Sequence, residues 1–154
     1  MDLSDLITPD AILPALKASS KKQALQALAE KAAALTGREE REIFETLVER
    51  EKLGSTGVGG GVAIPHGKLP DLGEIVGVFA RLPKPIDFEA PDEQPVDMIF
   101  LLLAPKGAGA DHLKALARIA RLFRQPSVIG KLRACADKSA LYAVLTEGTT
   151  SDAA

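Results

Sequence analysis

Residues 54–69 read Gly-Ser-Thr-Gly-Val-Gly-Gly-Gly-Val-Ala-Ile-Pro-His-Gly-Lys-Leu, and here residue type and spacing first suggest chemistry. Five glycines in the first eight positions cost backbone entropy, which points to a functional or close-packing reason for them. The backbone N–H groups of Gly57, Gly59 and Gly61 can converge on an anion, and the hydroxyls of Ser55 and Thr56 add donors. His66, set between Pro65 and Gly67, brings an imidazole with an ordinary pKa of about 6.5, mostly neutral near pH 7. A neutral imidazole is a nucleophile, and donors beside it can stabilise the charge of a phosphoryl group it accepts. The bland alternative is a solvated loop histidine; the glycine-rich lead-in and the stiff proline weigh against it.

Nucleotide motifs fail here on spacing. A dinucleotide fingerprint starting at Gly57 needs glycine where Val62 stands, and a Walker A motif ending at Gly67-Lys68 needs the same glycine and then Ser or Thr in place of Leu69. The two histidines find no clear companions to complete a zinc set of three or four ligands, so neither a metal nor another cofactor is expected.

The elements that must position this loop are readable on both sides. Ser20 and Gln23 have capping-box spacing and Gly37 gives a stop, so the first helix lies between them. Leu25, Leu28, Ala29, Ala32 and Leu35 form its buried face. Lys21 and Lys22 stand in its first turn, where the helix dipole disfavours cations, so burial is expected to hold that end. A second helix carries Ile43, Phe44, Leu47 and Val48 and runs to about Leu53. Strands are expected over Ile75–Leu82, ended by Pro83 and Pro85, over Val96–Leu103, over Val62–Ile64, and as an edge strand around Ala11–Leu16. Helices follow over Asp111–Phe123, Val128–Ala136 and Ser139–Leu145. This order predicts an α/β single-domain layered fold, a mixed β-sheet flanked by helices on both faces, over residues 1–148, with a disordered tail over 149–154.

The 154 residues suit one domain. Nineteen Lys and Arg against twenty-one Asp and Glu give a net charge of −2, without the basic excess of a nucleic-acid binder, although a local patch can survive the averaging. No Trp and one Tyr leave no base-stacking platform, and with five Phe the core is expected to be aliphatic. One cysteine forms no internal disulfide. The longest apolar run, Met98 to Ala104, is far short of the roughly 20 residues a membrane-spanning helix needs, and the acidic start is unlike an export signal. A cytoplasmic protein without membrane insertion is expected.

The segment Gly54–Leu69 closely resembles the phosphohistidine loop of the phosphotransferase-system enzyme IIA proteins of the fructose/mannitol class, most nearly their nitrogen-regulatory branch. The resemblance extends from Leu3 to about Leu145. It includes Arg50-Glu51 before the loop, Gln94-Pro95-Val96-Asp97 opening the central strand, and Asp111-His112-Leu113 opening the later helix. It implies that His66 is phosphorylated on Nε2 by an HPr-like phosphocarrier, with Arg50 and His112 flanking the phosphate. Gly60 departs from the Asn or other polar residue often found there.

The chemistry of these borrowed roles is sound. Arg50 offers a permanently charged planar fork for phosphate oxygens. One turn back stand Thr46 and Leu47, which cannot pair with it. His112, in a first helical turn, is favoured as a neutral donor. Lys68 is read as an ordinary solvated lysine after a loop, with attraction of an anion or a partner as the lesser alternative, and Cys135, at a helix end without an anion cradle, is structural. Three functions compete: a phosphocarrier acting as a switch on regulatory protein targets, a sugar-specific IIA passing phosphate to a IIB domain, and a binding module. No fused IIB, IIC or HPr segment is read, which favours the first. Val58, Val62 and Leu69 are the apolar residues expected around the docking surface.

Overall fold

The apolar run that starts at Val96 becomes the central strand of the computed structural model, which describes residues 2–151. The sheet comprises β1 (Ile12–Leu13), β2 (Gly57–Gly59), β3 (Val62–Ala63), β4 (His66–Leu69), β5 (Val76–Ile86) and β6 (Val96–Pro105). Its order is β1-β5-β6-β3-β2. One edge of β6 pairs antiparallel with β5, and the other pairs parallel with β3 at Met98 and Ile99, then with β4 at Leu102 to Pro105. Val96 and Met98 to Ala104 are fully buried, so both faces of this strand are covered. The helices are α1 (Lys21–Thr36), α2 (Glu40–Lys52), α3 (Ala110–Leu122), α4 (Pro126–Ala134) and α5 (Lys138–Ser151). The result is the expected α/β fold with a mixed sheet.

Ser20 caps α1 by accepting from the Gln23 N–H at 3.2 Å, and Gly37 ends it at φ 74°. The reciprocal bond is shifted by one residue, because Gln23 Oε1 accepts from the N–H of Ser19 rather than from Ser20. Leu25, Leu28, Ala29 and Ala32 are buried as expected, whereas Leu35, in the last turn, stays 36% exposed. Electrostatics, contrary to expectation, helps hold the start of α1. Lys21 Nζ lies 2.9 Å from the Glu51 carboxylate of α2 and 4.9 Å above the Phe88 ring. That ion pair offsets the unfavourable dipole of the first turn.

Other boundaries moved for identifiable reasons. β5 runs through Pro83 and Pro85 because the ladder to β6 shifts register between Arg81 and Ile86 and β1 pairs only with Phe79 and Ala80, so neither proline breaks a required bond. The core is mostly aliphatic, but it also buries Phe88 under Lys21 and a cluster in which the Phe79, Phe100 and Phe123 ring centroids lie 6.1 to 6.4 Å apart. Arg81 closes the far end of the fold by donating to the carbonyls of Pro14, Leu132 and Cys135, which fits the structural role expected of the Cys135 segment. The tail expected from 149 begins inside α5, which continues to Ser151; residues 152–154 lie outside the described residues.

Candidate functional site

His66 is the first residue of a strand rather than a loop residue, paired in register with Leu102 of the central strand. Pro65 contributes its carbonyl to the Leu102 N–H and separates β3 from β4 along the same edge of β6. The low β-propensity of His-Gly-Lys hides this strand from a pattern-based reading. Gly67 has a packing role: a Cβ there would lie 2.7 Å from Thr46 Cγ2, so its bare backbone lets α2 press against β4. That contact sets Arg50, one turn further along α2, beside the histidine.

The imidazole is held at both nitrogens. Nδ1 lies 2.8 Å from the Ile64 carbonyl oxygen, which can only accept, so Nδ1 carries the proton. Nε2 is then the lone-pair nitrogen, and it accepts from Arg50 Nε–H at 3.3 Å. Arg50 also donates to the Gly54 carbonyl at 2.9 Å, which fixes the fork against the end of α2. Both acids beside it in sequence are engaged elsewhere, Glu49 with Lys52 and Glu51 with Lys21. Burial holds the His66 pKa below its ordinary value, and the Arg50 charge lowers it further, against the upward pull of the Ile64 bond and Glu51.

His112 comes from the first turn of α3 and is 7% exposed. Its ring centroid lies 5.7 Å from that of His66, and its buried Nδ1 has no hydrogen-bond partner among the described residues. Burial lowers its pKa too, followed by the charges of His66 and Lys68. Lys68 is exposed two residues along β4 from His66, so both side chains leave the same face of the strand. The arrangement thus gathers one lone-pair nitrogen, one guanidinium, one neutral imidazole and one ammonium.

The residues expected to cradle an anion have other partners. Ser55 Oγ donates to the Phe88 carbonyl and accepts from the Gly57 N–H, and Thr56 gives both its N–H and its hydroxyl to Glu51. Gly59, Gly60 and Gly61, with φ of 93°, 67° and 85°, form the turn between β2 and β3, a conformation that favours glycine. Gly61 meets β6 at Asp97 and Met98, while His66 meets it at Leu102. At about 3.3 Å per residue these positions are roughly 13–17 Å apart. Gly59, Gly60 and Gly61 therefore shape a turn at that distance from the histidine. The Gly60 backbone is engaged at both ends, since its N–H donates to Asp92 and its carbonyl accepts from Arg133.

The expected apolar rim also changes. Val62 and Leu69 are core residues at 1% and 0% exposure, because the alternate positions of their strands face the helices; only Val58 stays on the surface. Leu53 and Leu113 are the exposed apolar neighbours that sequence reasoning missed, at 84% and 66%. Glu51 was missed as a support for the site. The signal for it was Lys21, a cation in an unfavourable first turn that needed a partner.

The chain belongs to the family described as phosphoenolpyruvate-dependent sugar phosphotransferase system, EIIA 2, whose pattern matches residues 5–148. It is 68% identical over 145 residues to the nitrogen regulatory protein of Bradyrhizobium diazoefficiens, covering 94% of this chain and 95% of that one. It is 39% identical over 156 residues to the nitrogen regulatory protein of Escherichia coli K12, covering 99% and 96%. The crystal structure of nitrogen regulatory protein IIA-Ntr from Neisseria meningitidis superposes with a TM-score of 0.89 at 35% identity, over 94% of this chain and 99% of that one. The mannitol IIA of Escherichia coli shares the fold, with a TM-score of 0.75 at 22% identity over 90% and 97%. The chain thus groups with the nitrogen-regulatory IIA proteins, phosphocarriers that take part in phosphoryl transfer. Among the described residues no helix is long and apolar enough to cross a membrane.

Proposed function

We propose that His66 accepts a phosphoryl group on Nε2 from an HPr-type phosphocarrier, and that its phosphorylation state is read by regulatory protein partners in the cytoplasm. The observation that carries this reading is the pairing of Nδ1 with the Ile64 carbonyl while Nε2 faces Arg50. The Nε2 lone pair attacks phosphorus, the bond from phosphorus to the donor's nitrogen breaks, and that nitrogen keeps the electron pair. Positive charge left on the His66 ring is shared with the Ile64 carbonyl through Nδ1–H. The arriving group takes the place of the long Arg50 contact, and the guanidinium then faces its oxygens. His112, a neutral imidazole with its ring centroid 5.7 Å from that of His66, supplies a further donor to the same group. The functional unit proposed is residues 1–148.

The test is incubation with phosphoenolpyruvate, the first enzyme of the system and its HPr-like carrier, followed by intact-mass measurement. One acid-labile phosphoryl group is expected on the native chain and none on His66→Ala. A phosphoryl group that persists on His66→Ala overturns the assignment.

A further inference from the structure

Charge is distributed unevenly along this chain. Residues 106–133 contain seven Lys or Arg and one acid, Asp111, leaving twelve basic and twenty acidic residues for the rest. On α2 three acids are paired with nearby cations, Glu42 with Arg38, Glu45 with Arg41 and Glu49 with Lys52. Three cations at and just beyond α3 differ. Lys114 and Arg121 lie about 180° from the buried His112 on the helical wheel, Arg124 follows just past the helix end, and all three are exposed. No ion pair joins them to an acid among the described residues.

Apolar surface accompanies this charge at both ends. Leu113, 66% exposed, stands beside His112 at the start of α3. At the other end a groove of about 510 Å³ opens between the β2–β3 turn and α4, lined by Val58, Phe123 and Ile129 with Arg124 and Arg133 at its edge. A thirteen-residue helix spans roughly 20 Å, about the length of six extended residues. We infer that the outer face of α3 and this groove dock an acidic protein segment that carries apolar anchor side chains. Carboxylates on that segment pair with Lys114, Arg121 and Arg124, and an aliphatic side chain enters the groove. A nucleic acid fits less well, because its phosphates make no use of Leu113 or the groove, and the chain offers no Trp for base stacking. This deepens the regulatory reading by giving the partner a chemistry. Its assay needs no phosphoryl transfer, so the two readings can fail separately.

The probe is a fluorescein-labelled synthetic peptide of Glu, Asp and Leu, titrated with the full chain and followed by anisotropy. A second peptide has every Leu replaced by Ser at the same charge, and a 20-base-pair DNA duplex serves as a third ligand. Burying one Leu predicts about tenfold tighter binding of the first peptide than of the second. The triple variant Lys114→Glu, Arg121→Glu, Arg124→Glu is expected to lose about tenfold or more, and the milder triple change to Gln to lose part of that. Arg41→Glu on α2 is expected to have no effect. Unchanged binding by both triple variants overturns the proposal, as does equal binding of the Ser peptide, and so does tighter binding of the duplex.

Discussion

Arg50 donates its Nε–H to the very nitrogen of His66 that is left unprotonated, across 3.3 Å. The guanidinium therefore already stands where phosphoryl oxygens would arrive, and its second bond, to the Gly54 carbonyl, keeps it there. Replacing Arg50 by Ala is expected to slow phosphoryl acceptance by about 10²–10³, the usual cost of one donor aimed at developing charge. Arg50→Lys should recover only part of this, because an ammonium cannot serve Gly54 and the phosphoryl oxygens as a fork. Stopped-flow transfer from the phosphorylated carrier measures both. A wild-type rate for Arg50→Ala would remove its role.

The contact between Gly67 and Thr46 can be tested as a pair. A Cβ added at Gly67 meets Thr46 Cγ2 at 2.7 Å and pushes α2 away from β4. Gly67→Ala is expected to cost about 1–3 kcal/mol in urea denaturation and to slow transfer by moving Arg50 from His66. Thr46→Ser removes the methyl group and keeps the hydroxyl that donates to the Glu42 carbonyl. The double variant should regain most of both losses, and strictly additive effects would show that the two residues do not meet.

Below the site, Glu51 accepts from the Thr56 N–H and hydroxyl and pairs with Lys21, with side-chain exposures of 6% and 16%. Lys21→Met leaves that carboxylate buried without its cation. The expected loss is about 3 kcal/mol, the lower end for breaking a buried pair. Equilibrium urea unfolding gives the number, and a change below the scatter of surface substitutions would mean that Thr56 alone satisfies Glu51.

Acid should act on the site later than it acts on a free imidazole. Burial holds the His66 pKa below about 6.5, so at pH 6.5, where a free histidine is half protonated, most Nε2 lone pairs are still available. Transfer is expected to stay near its maximum at that pH and to fall only further into acid. Stability follows the same sign: the unfolded chain binds the proton first, so the contribution of neutral His66 is complete above about 6.5 and is lost as pH falls through the lower folded value. His112, whose pKa is also lowered, adds in the same direction. A transfer profile with its midpoint at or above 6.5 would contradict both assignments.

The sequence carried the helices and the central strand plainly, because their apolar spacing depends on burial alone. It carried His66 and, through the resemblance, Arg50 and His112, which the fold brings together. It did not carry β4, since His-Gly-Lys gains strand geometry only from the open edge of β6. Nor did it show that the loop glycines serve a turn and a helix contact, because an anion cradle and a tight turn require the same residue. Lys21 and Glu51 are thirty positions apart in the chain, and only the packing of α1 on α2 makes them a pair.

Which nitrogen of His66 bears phosphorus is the most direct test of this account. Native chain uniformly labelled with ¹⁵N, phosphorylated through the reconstituted system, would be examined for scalar coupling between phosphorus and the two ring nitrogens. Coupling to Nε2 is expected, with the Nδ1 proton retained against the Ile64 carbonyl. Phosphorus bound to Nδ1, or to any residue other than His66, would contradict it.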